Sequence, residues 1–458
     1  MTRLLLLTLL LPAFTRAQFL APETTLQQAL VQATREDKLI FLMIESDQCQ
    51  QCNDVAGKAL QKNDLKDELK RNFIALRIPA FHPDRNYIKD KYNYIGGNVV
   101  LYLDKWGTLV HRMNMSTTAA TIYLYESKRA YLNEIQADYI RSLEQDALAG
   151  KMESDKLYEL MEARKTLSLP IDEHLDQYVK QLPADSLTSI STLQRIARMS
   201  PLLGSNANSI LRNNQELFNQ AWYALPEKDR ITINNQIIIK SRHQAISEKN
   251  VAKAEVVAKF AALTYSGAIF SGKPPVNKAY HYNLMEYFRG ANDTAAYLNA
   301  AVNYYELYQM PVNATAIKKK DSLKMAELKK DPVRNISIRD TLEWTETRKV
   351  FTTTTRYTPT AQHYGEELHY AARTFYRMTN DTIYLKKALQ WAAYANEFYE
   401  SAYALDIWAR LLYKVGNNKE EAVHLEERAI DFLKKHDMPT ETHMAVLDKM
   451  KKGISAID

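Results

Sequence analysis

The chain has 458 residues, of which 46% are hydrophobic and 25% are charged. This composition is ordinary for a globular protein and argues against wholesale disorder, and the length predicts two or three domains. The formal charge of +6 is small for this length, so nucleic acid is not an expected partner. Glycines are scarce, at 12, and tyrosines plentiful, at 28, which favours helices over many-stranded sheets.

The first 17 residues have the pattern of an export signal. A short basic start, Met1–Arg3, precedes the apolar stretch Leu4–Leu11 and the small-x-small cleavage site Thr15–Ala17. The apolar stretch is too short to span a bilayer, and no later segment is apolar enough to do so. We therefore expect an exported, periplasmic chain without an integral membrane span. Loss of Arg3 and Arg16 lowers its formal charge to +4.

Helices and strands alternate in the expected structure of the next hundred residues. The hydrophobic periodicity, caps and turn residues predict a helix at 23–36, a strand at Leu39–Ile44, helices from Cys49 to about Leu60 and at Asn63–Arg71 behind an Asn cap, a strand at Phe73–Ile78, a short helix at Arg85–Tyr92, and a hairpin of Val99–Leu103 and Thr108–Met113. One long helix or two are expected from Thr117 to Gly150.

The only two cysteines, Cys49 and Cys52, form a C-x-x-C pair between a buried-type strand and a helix. This arrangement is typical of a redox-active dithiol. The pair could also be half of a metal site, an inert bridge or a coincidence. Zinc needs two more ligands, and the nearest histidine, His82, stands alone. A bridge that closes so small a loop adds little stability.

The element order and the Cys49–Cys52 motif resemble the exported thioredoxin-like domains of bacterial envelope proteins. The hairpin sequence V-V-L-Y-L-D-K-W-G adds to the resemblance, which covers about residues 22–140. Three positions depart from that family. Gln48 stands where a Trp precedes the first cysteine, Met43 replaces a buried acidic residue, and Asn98 occupies the position of a cis-proline. In the family, the proline loop lies against the substrate backbone, so substrate handling is expected to differ here.

The resemblance assigns a role to each cysteine. Cys49, at the helix N-terminus, is the expected nucleophile, since the helix dipole favours its thiolate, and Cys52 is the expected resolving cysteine. The neutral residues between the cysteines add no charge that favours the thiolate, and the acidic residues before them disfavour it, so the couple is expected to be reducing. The expected modulating residues are Glu45, Asp47, Gln50, Gln51 and Asn98.

A repeat marks the second half of the chain. His281–Thr294 and His369–Thr382 share a His-Tyr start and an Asn-Asp-Thr end, and Tyr-Leu-x-x-Ala follows each. A weaker third copy runs from Trp408 to Ala422. The pattern predicts helix pairs whose second helix is capped by Asp or Thr, and it resembles tetratricopeptide repeats. The repeated histidines and a tyrosine-rich stripe are interpreted as packing residues. The alternatives are a metal or ligand site for the histidines and an exposed aromatic binding face for the tyrosines.

The sequence therefore predicts a thioredoxin-like α/β domain followed by a larger all-α, tetratricopeptide-like region. The expected divisions are a signal peptide at 1–17, the thioredoxin-like domain at 18–140, a helical region at 141–275, and repeats at 276–458 with an insertion at 311–358. The expected function is a thiol-disulfide oxidoreductase acting on protein partners that the helices recruit. The alternative is a catalytically degenerate domain that serves as an interaction scaffold or redox sensor. No metal or cofactor motif is recognised.

Overall fold

A computed structural model describes residues 19–46, 49–94, 97–150, 152–213, 215–266, 277–330, 336–338, 343–344, 347–348, 352–354, 357–415 and 418–454. The expected signal peptide therefore lies outside the described residues. The chain forms two compact units, Met1–Ile233 and Asn234–Asp458. Each unit has hydrophobic cores of its own.

The N-terminal unit begins with a four-stranded mixed sheet and its helices. These elements are α1 (Leu26–Glu36), β1 (Leu39–Ile44), α2 (Gln50–Leu60), α3 (Asn63–Asn72), β2 (Phe73–Ile78), α4 (Arg85–Tyr92), β3 (Val99–Leu103), β4 (Leu109–Met113) and α5 (Ala120–Leu148). The strand order is β2-β1-β3-β4, with β1 parallel to β2 and antiparallel to β3. The expected α/β class is confirmed.

Strand β1 is buried along its whole length because helices cover both faces of the sheet. Its alternate side chains point to opposite faces, as in any strand. Leu39, Phe41 and Met43 pack with α2, α3 and α5, whereas the other three β1 residues pack with α1 and α4. A strand buried on both faces reads as a continuous apolar run, which is why β1 was predictable.

The structure decides one open alternative of the sequence prediction and corrects one predicted cap. The segment after Thr117 forms one helix, α5, which continues through residue 140. The domain boundaries expected at 140 and 275 stay predictions. Asn63 is the first helical residue of α3 rather than its cap, and Lys62 at the N-cap makes no side-chain capping bond.

The remainder of the N-terminal unit is helical and packs around a separate core that the second half of α5 shares. Its elements are α6 (Ser154–Thr166), α7 (Asp172–Gln181), a short 3-10 helix (Ala184–Thr188), α8 (Ile190–Arg198), α9 (Asn206–Asn213), α10 (Gln215–Tyr223) and α11 (Glu227–Ser247), which runs past the unit boundary.

The C-terminal unit is dominated by helices. They are α12 (Val251–Ser266), α13 (Lys278–Gly290), α14 (Thr294–Tyr308), α15 (Ala314–Lys330), α16 (Thr360–Met378), α17 (Thr382–Phe398), α18 (Ala402–Val415), α19 (Lys419–Lys435) and α20 (Glu441–Lys451). The described residues between α15 and α16 include four short strands, β5 (Ile336–Ile338), β6 (Glu343–Trp344), β7 (Thr347–Arg348) and β8 (Thr352–Thr354), paired β5 with β8 and β6 with β7.

The repeated motif coincides with helix pairs, as its sequence predicts. The first copy forms α13 and the start of α14, and the second forms the end of α16 and the start of α17. Asp293 caps α14 by accepting from Ala296 N at 3.1 Å, and Asp381 caps α17 by accepting from Ile383 N at 2.8 Å. A short polar turn thus ends one helix and begins the next in both copies.

The insertion is anchored at its far end by a buried carboxylate. Asp321, on α15, accepts hydrogen bonds from Tyr357 Oη at 2.7 Å and from the backbone N–H groups of Thr360 and Ala361 at 3.0 and 2.7 Å. These backbone groups open α16, so a side chain from the helix within the insertion caps the helix that follows the insertion. Burial raises the pKa of Asp321, but these bonds outweigh it and the net direction is downward.

None of the described helices is long and apolar enough to cross a membrane.

Candidate redox site

Three loops meet at one edge of the sheet. Strands β1 and β2 are parallel and paired at Ile44 and Ile78, so the segments after both strands leave from the same edge. Strand β3 is antiparallel and begins there, with Val99 opposite Ile44. The N–H of Glu45 donates to Ile78 O at 3.0 Å and holds the first two loops together. This edge carries the C-x-x-C segment.

Cys49 and Cys52 are joined in a disulfide, with 5.2 Å between their Cα atoms. Cys49 is the N-cap residue of α2 and Cys52 lies in the first turn. The Cys52 N–H donates to Cys49 Sγ at 3.2 Å. Because this backbone donor lies at a helix N-terminus, it can stabilise a negative charge on the Cys49 sulfur after reduction. The roles of Cys49 as nucleophile and Cys52 as resolving cysteine stay predictions.

A buried polar cluster lies beside the disulfide. The Ser46 N–H lies 2.6 Å from Asn98 Oδ1 and 3.0 Å from Asn53 Oδ1, and it is the donor to both. Asn53 Nδ2 donates in turn to Ser46 O at 2.9 Å, and Ser46 Oγ accepts from the Cys49 N–H at 3.1 Å. All three cluster side chains are buried. The cluster therefore holds Ser46 and the Cys49 N–H in place.

Asn98 marks the main departure from the family pattern. The peptide bond before it is trans, since the described residues contain no cis bond, and Gly97 has a φ of 75°. A left-handed φ is readily adopted by glycine and lets the chain turn into β3 without strain. The family shapes this loop with a cis-proline. Here the bond is trans, and the Asn98 side chain instead accepts a hydrogen bond from the Ser46 N–H in the loop after β1.

The expected acidic modulation of Cys49 is reduced by an ion pair. The Glu45 carboxylate pairs with the guanidinium of Arg77, on β2. An adjacent cation offsets the repulsion that a carboxylate exerts on a thiolate. Glu45 remains at the site edge, but its charge does not act alone.

Some of the predicted modulating residues, or their side chains, lie outside the part of the chain that the structure describes. Asp47 and Gln48 lie outside the described residues, and only the backbone of Gln50 and Gln51, in the first turn of α2, is described. Sequence reasoning also missed two residues of the polar cluster, Ser46 and Asn53. Asn53 lies four positions after Cys49, on the same helical face, and this polar residue at an inward position was the available signal.

His82 does not complete a metal site with the cysteines. Its Nδ1 accepts from the Asp84 N–H at 3.1 Å, and its Nε2 lies 3.1 Å from Thr24 O. The ring is thus a Nε2–H tautomer with both nitrogens engaged. Its role is to hold the loop after β2.

One group of potential metal ligands lies in the C-terminal unit. Among the described residues, ligand atoms of Asp406, Glu426 and His443 lie within 4.8 Å of one another. Arg410 Nε donates to Asp406 Oδ1 at 2.6 Å, and His443 Nδ1 lies 2.9 Å from Glu426 Oε1. Because a guanidinium already neutralises Asp406, we interpret the group as a buried ion-pair network.

The two asparagines of the polar cluster are expected to differ in their effect on stability. Asn53→Ala removes bonds to both backbone groups of Ser46 and should cost about 2 kcal/mol, whereas Asn98→Ala leaves the Ser46 N–H bonded to Asn53 and should cost about 1 kcal/mol or less. Urea unfolding of both variants measures the difference. A larger loss for Asn98→Ala would contradict this account of the cluster.

Residues 21–103 match the model of a thioredoxin-like family. The matched stretch runs from just before α1 to the end of β3 and contains the disulfide and the polar cluster. The thioredoxin-like domain is thus supported by the family match, the sheet and the cysteine pair together. No curated protein matches the chain significantly.

Proposed function

We propose that this protein is a thiol-disulfide oxidoreductase that reduces disulfides in protein partners. The observation that supports the proposal most directly is Cys49 at the N-cap of α2, with the Cys52 N–H directed at its sulfur in a thioredoxin-like domain. A thiolate held in this way is a nucleophile and a leaving group, the two properties that disulfide exchange needs.

The reaction requires no cofactor beyond the dithiol. The Cys49 thiolate attacks one sulfur of a partner disulfide, and the other partner sulfur leaves as a thiolate. Cys52 then attacks Cys49 Sγ, the partner is released with both cysteines reduced, and the Cys49–Cys52 disulfide forms. Two electrons have passed to the partner, and an external dithiol reductant must restore the enzyme.

The remaining parts of the proposal concern direction, place and partners. The couple is proposed to be reducing because neutral Gln50 and Gln51 separate the cysteines, although Arg77 offsets the charge of Glu45. The export pattern of the first 17 residues supports a periplasmic location. The helix pairs, whose repeated sequence resembles tetratricopeptide repeats, are proposed to recruit protein partners.

A degenerate scaffold is the second candidate, and one observation favours it. The loop that contacts substrate in the family has a trans bond before Asn98, and the Asn98 side chain is turned to Ser46. A loop tied to its own domain in this way offers a different surface to a substrate backbone. Activity, rather than geometry, separates the two candidates.

Dithiothreitol-driven reduction of insulin tests the proposal. The wild-type chain is expected to accelerate insulin reduction well above the uncatalysed rate, and Cys49→Ser should return it to background because the nucleophile is lost. The small loop closed by the disulfide contributes little stability, so the variant is expected to remain folded. Background rates for both proteins would favour the scaffold instead.

A further inference from the structure

The loop after β2 carries an aromatic side chain that the fold leaves uncovered. Phe81 is 99% exposed, more than any other large hydrophobic side chain in the described part of the chain. It follows β2 by three residues, so it lies at the sheet edge that also carries Cys49. Single exposed hydrophobic residues are common, but complete exposure of a Phe forgoes a large burial energy.

Its exposure is imposed by an ordered loop. The His82 N–H donates to Pro79 O at 3.1 Å and closes a turn, with Ala80 and Phe81 at its centre. His82 itself is buried and bonded through both ring nitrogens. Pro79 and Pro83 restrict the backbone on either side. With the flanking positions fixed, Phe81 projects away from the core.

The same loop is also tied to the first helix. Asp84 Oδ2 accepts a hydrogen bond from the Leu26 N–H, at the start of α1, at 2.6 Å. Arg85 reaches back to Pro79 O at 3.4 Å. A side chain held on a rigid support loses little conformational entropy when a partner covers it, which favours binding.

The same edge of the sheet also carries an ion pair. The Arg77–Glu45 ion pair lies at the ends of β1 and β2, on the same edge of the sheet, and 45% of the Arg77 side chain is exposed. An apolar anchor within a polar rim is the usual arrangement of a residue that dominates a protein contact. An extended polypeptide whose cysteine reaches Cys49 would pass along this edge.

We infer that Phe81 is a substrate-specificity residue of the redox site. It contacts an apolar side chain next to the cysteine that Cys49 attacks, so the preferred substrate is a polypeptide disulfide flanked by an apolar residue. This inference rests on the proposed oxidoreductase function and adds the substrate class. Phe81 acts in binding and takes no part in electron transfer.

Two peptide substrates test the inference with the full-length protein. Each contains one cysteine in a mixed disulfide with glutathione, and they differ only in having Leu or Ser beside that cysteine. Wild type should show a kcat/KM about tenfold higher for the Leu peptide, and Phe81→Ser should remove this preference through KM. The loss in kcat/KM should be largest for the Leu peptide, since the Ser peptide and oxidised glutathione offer Phe81 no apolar side chain to contact.

Leu148→Ser is the matched control. This side chain is 89% exposed and lies at the end of α5. At about 1.5 Å per residue, it stands roughly 40 Å along the helix from Ala120. The control should retain the full preference for the Leu peptide.

The possible results separate this inference from the function on which it rests. A wild type that reduces oxidised glutathione but treats both peptides equally would overturn the role of Phe81 alone. The same holds if Phe81→Ser slows all three substrates equally, or if it only changes the sedimentation of the protein and thus marks a contact between copies. A wild type inert towards every disulfide would overturn the function and the inference together.

Discussion

Cys52→Ser is expected to trap a mixed disulfide between Cys49 and a protein substrate. Ser is close to Cys in size, and the Cys52 group that donates to Cys49 Sγ is a backbone N–H that the substitution keeps. The nucleophile therefore retains its stabilisation while the intramolecular attack that releases the substrate is lost. Since such attacks benefit from high effective concentration, release should slow by roughly 100-fold or more.

The adduct is measured by mixing the reduced variant with insulin and separating the products under non-reducing conditions. A band that dithiothreitol removes, with the mass of the variant plus insulin, is the expected result. Cys49→Ser, treated identically, should give none, because its remaining sulfur lies one turn into α2. If both variants formed equal amounts of adduct, the assignment of Cys49 as nucleophile and Cys52 as resolving cysteine would be wrong.

The trapping variant also addresses the proposed recruitment of partners by the helices. Applied to a periplasmic extract, it would capture proteins through a defined covalent bond. Capture that depends on Cys49 and is lost with Cys49→Ser identifies reaction substrates, whereas capture independent of Cys49 would indicate binding by another surface. The scaffold and the oxidoreductase thus give opposite patterns.

The stability of the C-terminal unit is expected to fall as pH rises from 5 to 8.5, because of a buried acid in the last helices. Glu426 is fully buried and packs among α18, α19 and α20 with His443, Asp406 and Arg410. Burial raises the pKa of Glu426 from its ordinary 4.5 to about 7. Burial lowers the pKa of His443, but its bond to Glu426 and the charge of Asp406 outweigh this and raise it overall.

Both pKa values are higher in the folded chain, so the folded chain binds protons more tightly. The resulting stabilisation is complete below the unfolded pKa values and is lost as the pH rises through the folded ones. For Glu426 the shift corresponds to about 3 kcal/mol between pH 4.5 and 7. The pair is thus expected to retain a proton near neutrality.

Glu426→Gln isolates this contribution. The amide keeps the size and one acceptor for His443 but cannot lose a proton, so its free energy of unfolding relative to wild type should improve by about 2–3 kcal/mol from pH 5 to pH 8.5. Urea unfolding followed by circular dichroism gives both values. Using the variant-minus-wild-type difference at each pH cancels the titration of the rest of the chain.

Glu427→Gln is the control for this experiment. Glu427 is the next residue on α19. Its side chain is 44% exposed, and its carboxylate pairs with Lys451 on the surface. Its difference from wild type should change by less than about 0.5 kcal/mol over the same pH range. If Glu426→Gln shows an equally small change, the buried pair does not hold a proton in the folded chain.

The sequence alone determined the features that depend on local order along the chain. The continuous apolar run of β1 predicted a strand covered on both faces, and the C-x-x-C after it predicted a dithiol at a helix start. The Asn-Asp-Thr turns predicted capped helix pairs, and Asp293 and Asp381 are caps. Periodicity and capping are short-range properties, so they can be recognised without knowing which segments meet.

Only the tertiary structure decided how the site is held. Asn98 was recognisable as an unusual residue, but its bond to Ser46 joins positions 52 apart and depends on the pairing of β1 with β3. The full exposure of Phe81 and the burial of Glu426 could not be predicted from the sequence either, because the exposure of a side chain depends on which distant segments pack over it. Sequence order fixes the available groups, and long-range packing determines their partners.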